Sequence, residues 1–96
     1  MQKNGQPPNE IKLKINDEQL KGAYANQVSI MHSKNDFVLD FISMFPPEAI
    51  VTARMVLTPS VLKRVYYTIG QNLSKYEEQF GEIDLEDFVP HDGKLN

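Results

Sequence analysis

The chain has 96 residues, 41% of them hydrophobic and 24% charged, with 10 Lys/Arg, 13 Asp/Glu and no cysteine. A length of this order supports one small domain that buries roughly 60–70% of its unfolded surface, which excludes a two-domain enzyme; the composition excludes a disordered chain. Without cysteine there is no disulfide framework, thiolate zinc site or thiol nucleophile.

The net charge of −3 divides unevenly. Residues 1–76 hold nine basic and six acidic side chains, a balance of +3, whereas residues 77–96 hold one basic and seven acidic, a balance of −6. A mildly basic body therefore carries an acidic tail, which is either solvated, folded onto the body or directed at a basic partner.

Residues 1–9, MQKNGQPPN, are polar and carry a proline pair. They read as a flexible N-terminal segment and lack the apolar stretch of a signal peptide. No apolar run approaches the ~20 residues that span a bilayer, so the expectation is a cytoplasmic protein with no membrane partner. Residues 10–81 read as one domain and residues 82–96 as an acidic tail.

Period-two alternation marks the strands. Ile11, Leu13 and Ile15 alternate with Lys12 and Lys14, predicting a first strand, and Asn16-Asp17 supplies a turn. A second strand over Tyr24–Ser33 sets Val28 and Ile30 against Ser29 and Met31. Ser33-Lys34-Asn35-Asp36 reads as a hairpin connection, and Phe37, Leu39 and Phe41 open a third strand whose opposite face carries Val38, Asp40, Ile42 and Met44. In the fourth, Val51, Ala53, Met55 and Leu57 form one face and Ile50, Thr52, Arg54 and Val56 the other. Both faces are apolar enough to want cover. One helix supplies only one, so the second face is expected to meet another subunit or another protein.

Thr58-Pro59 is a helix start, since the threonine oxygen accepts from free backbone N–H groups and proline is pre-organised at the first helical position. Val61, Leu62, Val65, Ile69, Leu73, Tyr76 and Phe80 recur at three- and four-residue spacing, and Gly81 stands where a left-handed stop belongs. The predicted helix, Pro59–Phe80, is roughly 33 Å long against about 17–20 Å for a strand of ordinary length. Its C-terminal half should overhang, leaving Tyr76 and Phe80 as an oligomer interface. Gly70 weakens the helix by about 1 kcal/mol relative to alanine, which fits either simple tolerance or a close crossing by another helix.

Candidates for chemistry are sparse. His32 ends a strand and His91 lies in the tail, neither beside a nucleophile, and no spacing of ligands suits a metal. Asp40 is better read as a partner of Arg54 across the sheet than as a catalytic acid. No glycine-rich phosphate loop follows a strand. The expectation is a non-enzyme without cofactor. Arg54, Lys63 and Arg64 form a small basic cluster able to contact a partner or an anion. Lys63 and Arg64 near the start of the helix, and Glu77 and Glu78 near its end, all oppose the helix dipole. In the tail, Ile83, Leu85 and Phe88 stand among acids, a composition suited to docking in an apolar groove beside basic surface.

The run AYANQVSIMHSKNDFVLDF, the proline pair at 46–47, Arg54 to Thr58-Pro59, Lys63-Arg64 and NLSKYEEQFGEI at 72–83 together resemble the small bacterial family called domain of unknown function 3467. The resemblance spans about residues 10–83 and carries over no catalytic residue. Through the placement of family genes beside those of the large RNA polymerase subunits, it implies an accessory role in transcription. Within the matching blocks Arg54, Lys63 and Arg64 are the polar positions of first interest, followed by Asn26, Asp40 and Asn72.

The fold expected from these readings is α+β, an antiparallel sheet of three to four strands followed by one long C-terminal helix and completed by self-association. The function expected is a non-enzymatic interaction module docking on a larger assembly, with RNA polymerase the favoured partner. A nucleic-acid binder using the basic cluster and a chaperone-like binder of unfolded chains are the alternatives.

Overall fold

A computed structural model describes residues 10–85; the N-terminal segment 1–9 and residues 86–96 of the tail, Phe88 and His91 among them, lie outside the described residues. The elements in chain order are α1 (Asp17–Leu20), β1 (Gln27–His32), β2 (Phe37–Phe45), β3 (Glu48–Leu57) and α2 (Pro59–Phe80). The strands form one antiparallel sheet in the order β1-β2-β3. The fold is α+β, a three-stranded antiparallel sheet followed by one long helix.

Two tight connections set the register. Between β1 and β2, the Ser33 N–H donates to the Asp36 carbonyl at 2.9 Å, closing the four-residue link read from Ser33 to Asp36. Between β2 and β3, Phe45 faces Glu48 across Pro46-Pro47, whose peptide bond is cis. Neither proline has an N–H to contribute to a ladder, and neither lies within one. Asn26 extends the β1–β2 pairing by one position. Its Nδ2 donates to the Met44 carbonyl at 3.1 Å and its Oδ1 accepts from the Met44 N–H at 2.8 Å, so a side-chain amide does the work of a peptide group.

The β2–β3 register shifts between Phe41 and Ile42. Phe41 faces Ala53 and Ile42 faces Val51, so Thr52 is the extra residue of a bulge. This corrects the faces read from alternation. Past a bulge every side chain changes side, so Val51 joins Arg54 and Val56, and Ile50 joins Ala53, Met55 and Leu57. The Thr52 hydroxyl is held between two carbonyls, those of Phe41 at 3.1 Å and Tyr24 at 2.9 Å.

The predicted first strand does not form. Residues 10–16 carry no strand, and Ile11 and Leu13 are 90% and 99% exposed. Asn16-Asp17, read as a turn, instead opens the one-turn helix α1, where the Leu20 N–H donates to the Asn16 carbonyl at 2.9 Å. Alternation alone cannot make a strand: its backbone groups need a neighbouring ladder, and its register needs a buried face. The segment has neither among the described residues. The second strand is also shorter than expected, because residues 24–26 approach β2 and β3 through the Asn26 and Tyr24 bonds rather than through a continuous ladder.

The helix has the predicted bounds. Thr58 is its cap, accepting from the Val61 N–H at 3.3 Å, with Pro59 following. At the other end Gly81 takes φ +97° and donates to the Glu77 carbonyl at 2.9 Å. Its position differs from the expected cover over the sheet. Val61, Leu62 and Val65 are half-buried near the β3 junction, while Ile69, Leu73, Tyr76 and Phe80 are exposed. Thr58 alone separates β3 from α2, too short a link to turn a helix back over a sheet, which ordinarily takes 2–6 residues. The molecule is accordingly elongated at 57 × 33 × 31 Å. Its radius of gyration of 17.9 Å exceeds the ~12 Å of a compact chain of this length.

The core is correspondingly thin. Leu39 and Ile42, at 8% and 4% exposure on opposite faces of β2, are its buried apolar side chains among the described residues, with Ser29 and Asp40 the buried polar ones.

Candidate interaction surface

Cross-strand pairing sorts the sheet into two faces. One carries Val28, Ile30, Leu39, Phe41, Ala53 and Met55; the other carries Ser29, Val38, Asp40, Ile42, Arg54 and Val56. Apolar side chains lie open on both, including Val28, Ile30 and Met55 on the first and Val51 and Val56 on the second. Residues of α1 and the following loop approach the first face, where Glu18, Gln19 and Ala25 line a groove with Phe41, Ala53 and Met55. They leave Met55 about half exposed.

On the second face, Arg54 Nε and Nη2 donate to Asp40 Oδ1 and Oδ2 at 2.7 and 2.8 Å. The fork matches the planar carboxylate, giving a bidentate pair. Arg54's hydrogen bond is the main reason that the Asp40 carboxyl lies below its ordinary 3.8; burial pulls the other way, and the guanidinium charge adds to the lowering. Reciprocally, the hydrogen bond and charge of Asp40 raise Arg54. The Asp40 side chain is nearly enclosed, whereas more than half of Arg54 faces solvent.

This geometry separates the basic cluster. Arg54 is committed to Asp40, while Lys63 and Arg64 are exposed on α2 and form no ion pair among the described residues. Asn72, one of the secondary polar positions, donates through Nδ2 to the Thr68 carbonyl at 2.9 Å, one helical turn back. His32 packs its ring against Phe37 with centroids 5.2 Å apart. No group of three or more His, Cys, Asp or Glu able to hold a metal occurs among the described residues, and no helix is long and apolar enough to cross a membrane.

Three of the sequence-predicted contacts, Tyr76, Phe80 and Ile83, meet at the far half of α2. Tyr76 and Phe80 lie ring to ring at 4.9 Å, and with Ile69, Leu73 and Ile83 they line one apolar groove. Ile83, assigned from sequence to the tail, belongs to this groove because its N–H donates to Glu77 Oε2 at 2.9 Å, which turns the chain back beyond Gly81. Leu85 stays apart and exposed, and Phe88 is outside the described residues. Tyr66 was not among the predicted contacts, yet it is 70% exposed along the same helix. Its signal was the alternating four- and three-residue spacing from Leu62 through Tyr66, Ile69, Leu73 and Tyr76 to Phe80.

The sequence model of a family described as "Protein of unknown function (DUF3467)" matches residues 1–85. This chain belongs to the DUF3467 family. The match confirms the resemblance carried by the residue blocks from Ala23 to Ile83 and assigns the family no reaction. For this DUF3467 protein, neither the curated proteins nor the solved structures provide a match.

Proposed function

We propose that this DUF3467 chain is a non-enzymatic interaction module that becomes fully folded by self-association and docks, as an oligomer, on a larger assembly. The observation that carries this reading is the size of the core. Among the described residues Leu39 and Ile42 are its buried apolar side chains, while Ile69, Leu73, Tyr76 and Phe80 of α2 and Val28, Ile30 and Met55 of the sheet remain open to water. Ordering each residue costs about 1–2 kcal/mol in backbone entropy, which burial of two aliphatic side chains cannot offset at ~1.5–3 kcal/mol each. Open apolar surface on both elements is the usual mark of interfaces.

RNA polymerase is the partner that the family resemblance favours. The nucleic-acid alternative loses support from the Arg54–Asp40 pair, which leaves Lys63 and Arg64 as its free cations. Light scattering on a size-exclusion column tests self-association; the expected result is a mass at least twice that of the chain at tens of micromolar, and a folded strict monomer would overturn it. Affinity purification of the tagged 96-residue chain tests the partner. Polymerase subunits no more abundant than in a mock purification would remove that assignment.

A further inference from the structure

We propose that two copies of the chain pair through α2 as an antiparallel, two-fold coiled coil, with Ile69 of each helix against Leu73 of the other and Lys63 of each beside Glu77 of the other. The proposal rests on the self-association reading and specifies its geometry.

The spacing of an apolar stripe, half-buried at Leu62 and exposed beyond it, is the first support. Leu62, Tyr66, Ile69, Leu73, Tyr76 and Phe80 follow one another at intervals of four, three, four, three and four, an unbroken 3.5-residue repeat. Such a repeat keeps one seam facing a partner helix along a left-handed supercoil. In a two-fold pair, residue i meets j and j meets i. A dyad at Gln71 matches Leu62 with Phe80, Tyr66 with Tyr76 and Ile69 with Leu73, using all six positions and leaving none over. The exposed end bearing Phe80 is thereby carried to the half-buried start of the other helix.

Charge supplies the second support and fixes the direction. Residues 63, 70 and 77 flank the seam on one side, and in an antiparallel pair this side meets itself. Lys63 then faces Glu77 of the second copy twice, and Gly70 faces Gly70 near the dyad. A parallel pair would set Gly70 and Glu77 against Val65 and Asn72 of the second copy, with no opposite charges. The antiparallel arrangement also accounts for the unfavourable placement of Lys63 and Arg64 near the helix start and Glu77 and Glu78 near its end. Each charged end lies beside the opposite end of a neighbouring dipole.

Gly70 is the third support. A Cβ built there meets nothing within 4 Å, so packing inside one chain gives no reason for glycine in the middle of a 22-residue helix. Across the dyad one residue away it meets Gly70 of the second copy, where the absence of two side chains leaves room for the paired helices. The exposed parts of Tyr66, Ile69, Leu73, Tyr76, Phe80 and Ile83 amount to roughly 600 Å² per copy, at about 200 Å² for a large side chain. Flanking Asn72 and Gln79 bring this near the ~800 Å² per partner of a stable interface.

The chain lacks cysteine, so single spin labels can be placed at Ser60→Cys and, separately, at Gln71→Cys in the full chain. Antiparallel pairing predicts a Ser60 separation of roughly 33 Å from the helical rise and a Gln71 separation of roughly 20 Å from two adjacent helix diameters. An oligomer whose Ser60 pair is no farther apart than its Gln71 pair overturns the antiparallel geometry while self-association stands; a monomer overturns both. As a second measurement, Lys63→Glu alone should weaken association about tenfold, the sum of two pairs turned repulsive. Mixing it with Glu77→Lys chains should form mixed dimers in excess of either homodimer. A statistical mixture would overturn the Lys63–Glu77 assignment.

Discussion

Arg54 on β3 holds both carboxylate oxygens of Asp40 on β2, at 2.7 and 2.8 Å, from directly across the ladder. The pair ties the two strands together just before the register shift at Phe41 and Ile42. Because Arg54 keeps the Asp40 carboxyl below its ordinary 3.8, the folded chain binds that proton more weakly than the unfolded chain does. The stability this provides is complete above the unfolded value and is lost as pH falls through the folded one. Thermal midpoints of the native chain should therefore drop as pH falls below the ordinary carboxylate value of 3.8, and Asp40→Asn should flatten that part of the profile while lowering the midpoint at pH 7. Arg54→Lys should not restore it, since an ammonium cannot bond both oxygens in one plane. Parallel acid profiles for native and Asp40→Asn chains would contradict the linkage.

Asn26 makes two hydrogen bonds to Met44 through its side-chain amide. Asn26→Ala removes both, and at ~0.5–1.5 kcal/mol each the chain should lose about 1–2 kcal/mol in urea unfolding. Asn26→Asp keeps the acceptor for the Met44 N–H and lacks the donor. Its loss should fall between those of the native and alanine chains.

Thr58 caps α2 at the one residue that joins it to the sheet. Thr58→Ala should cost about 1 kcal/mol, and Thr58→Ser should recover most of it. Amide exchange should show the loss first at Val61, whose N–H the threonine oxygen accepts.

Leu73 lies mid-groove between Ile69 and Tyr76. Leu73→Glu places a charge on the proposed seam and should convert the oligomer to monomer in sedimentation. Because α2 gains cover only on association, its circular dichroism helix signal should rise with protein concentration in the native chain and not in the variant. Unchanged sedimentation would separate this groove from the self-association surface.

How far the structure was legible from sequence depended on whether local or tertiary terms decided each element. The bounds of α2 were legible because Thr58-Pro59 and Gly81 are local signals. The Asp40–Arg54 pair was legible because alternation places both on one face. The failure at Ile11–Ile15 had the opposite cause: a period-two pattern describes a strand only if another strand is present to pair with it. Val51 was assigned to the wrong face because a bulge at Thr52 has no marker in composition. The direction of α2 was missed because the length of the link at Thr58, rather than the apolar stripe, decides whether a helix folds back. Tyr66 is distinguished only by the 3.5-residue period of the stripe, which over one short helix differs little from 3.6.

The outer edge of β3 adds a practical consequence. Ten residues, Glu48–Leu57, have β2 on one side and no strand on the other among the described residues, and Glu48 and Arg54 are their only charges. Natural edges of this length are ordinarily protected by lysine, proline or a bulge, and here the bulge at Thr52 interrupts the run near its middle. Deleting Thr52, the extra residue, would straighten β3 and leave a continuous β-branched and apolar template. Recombinant chains carrying such a change should form edge-to-edge fibrils, so Thr52 guards solubility as well as register.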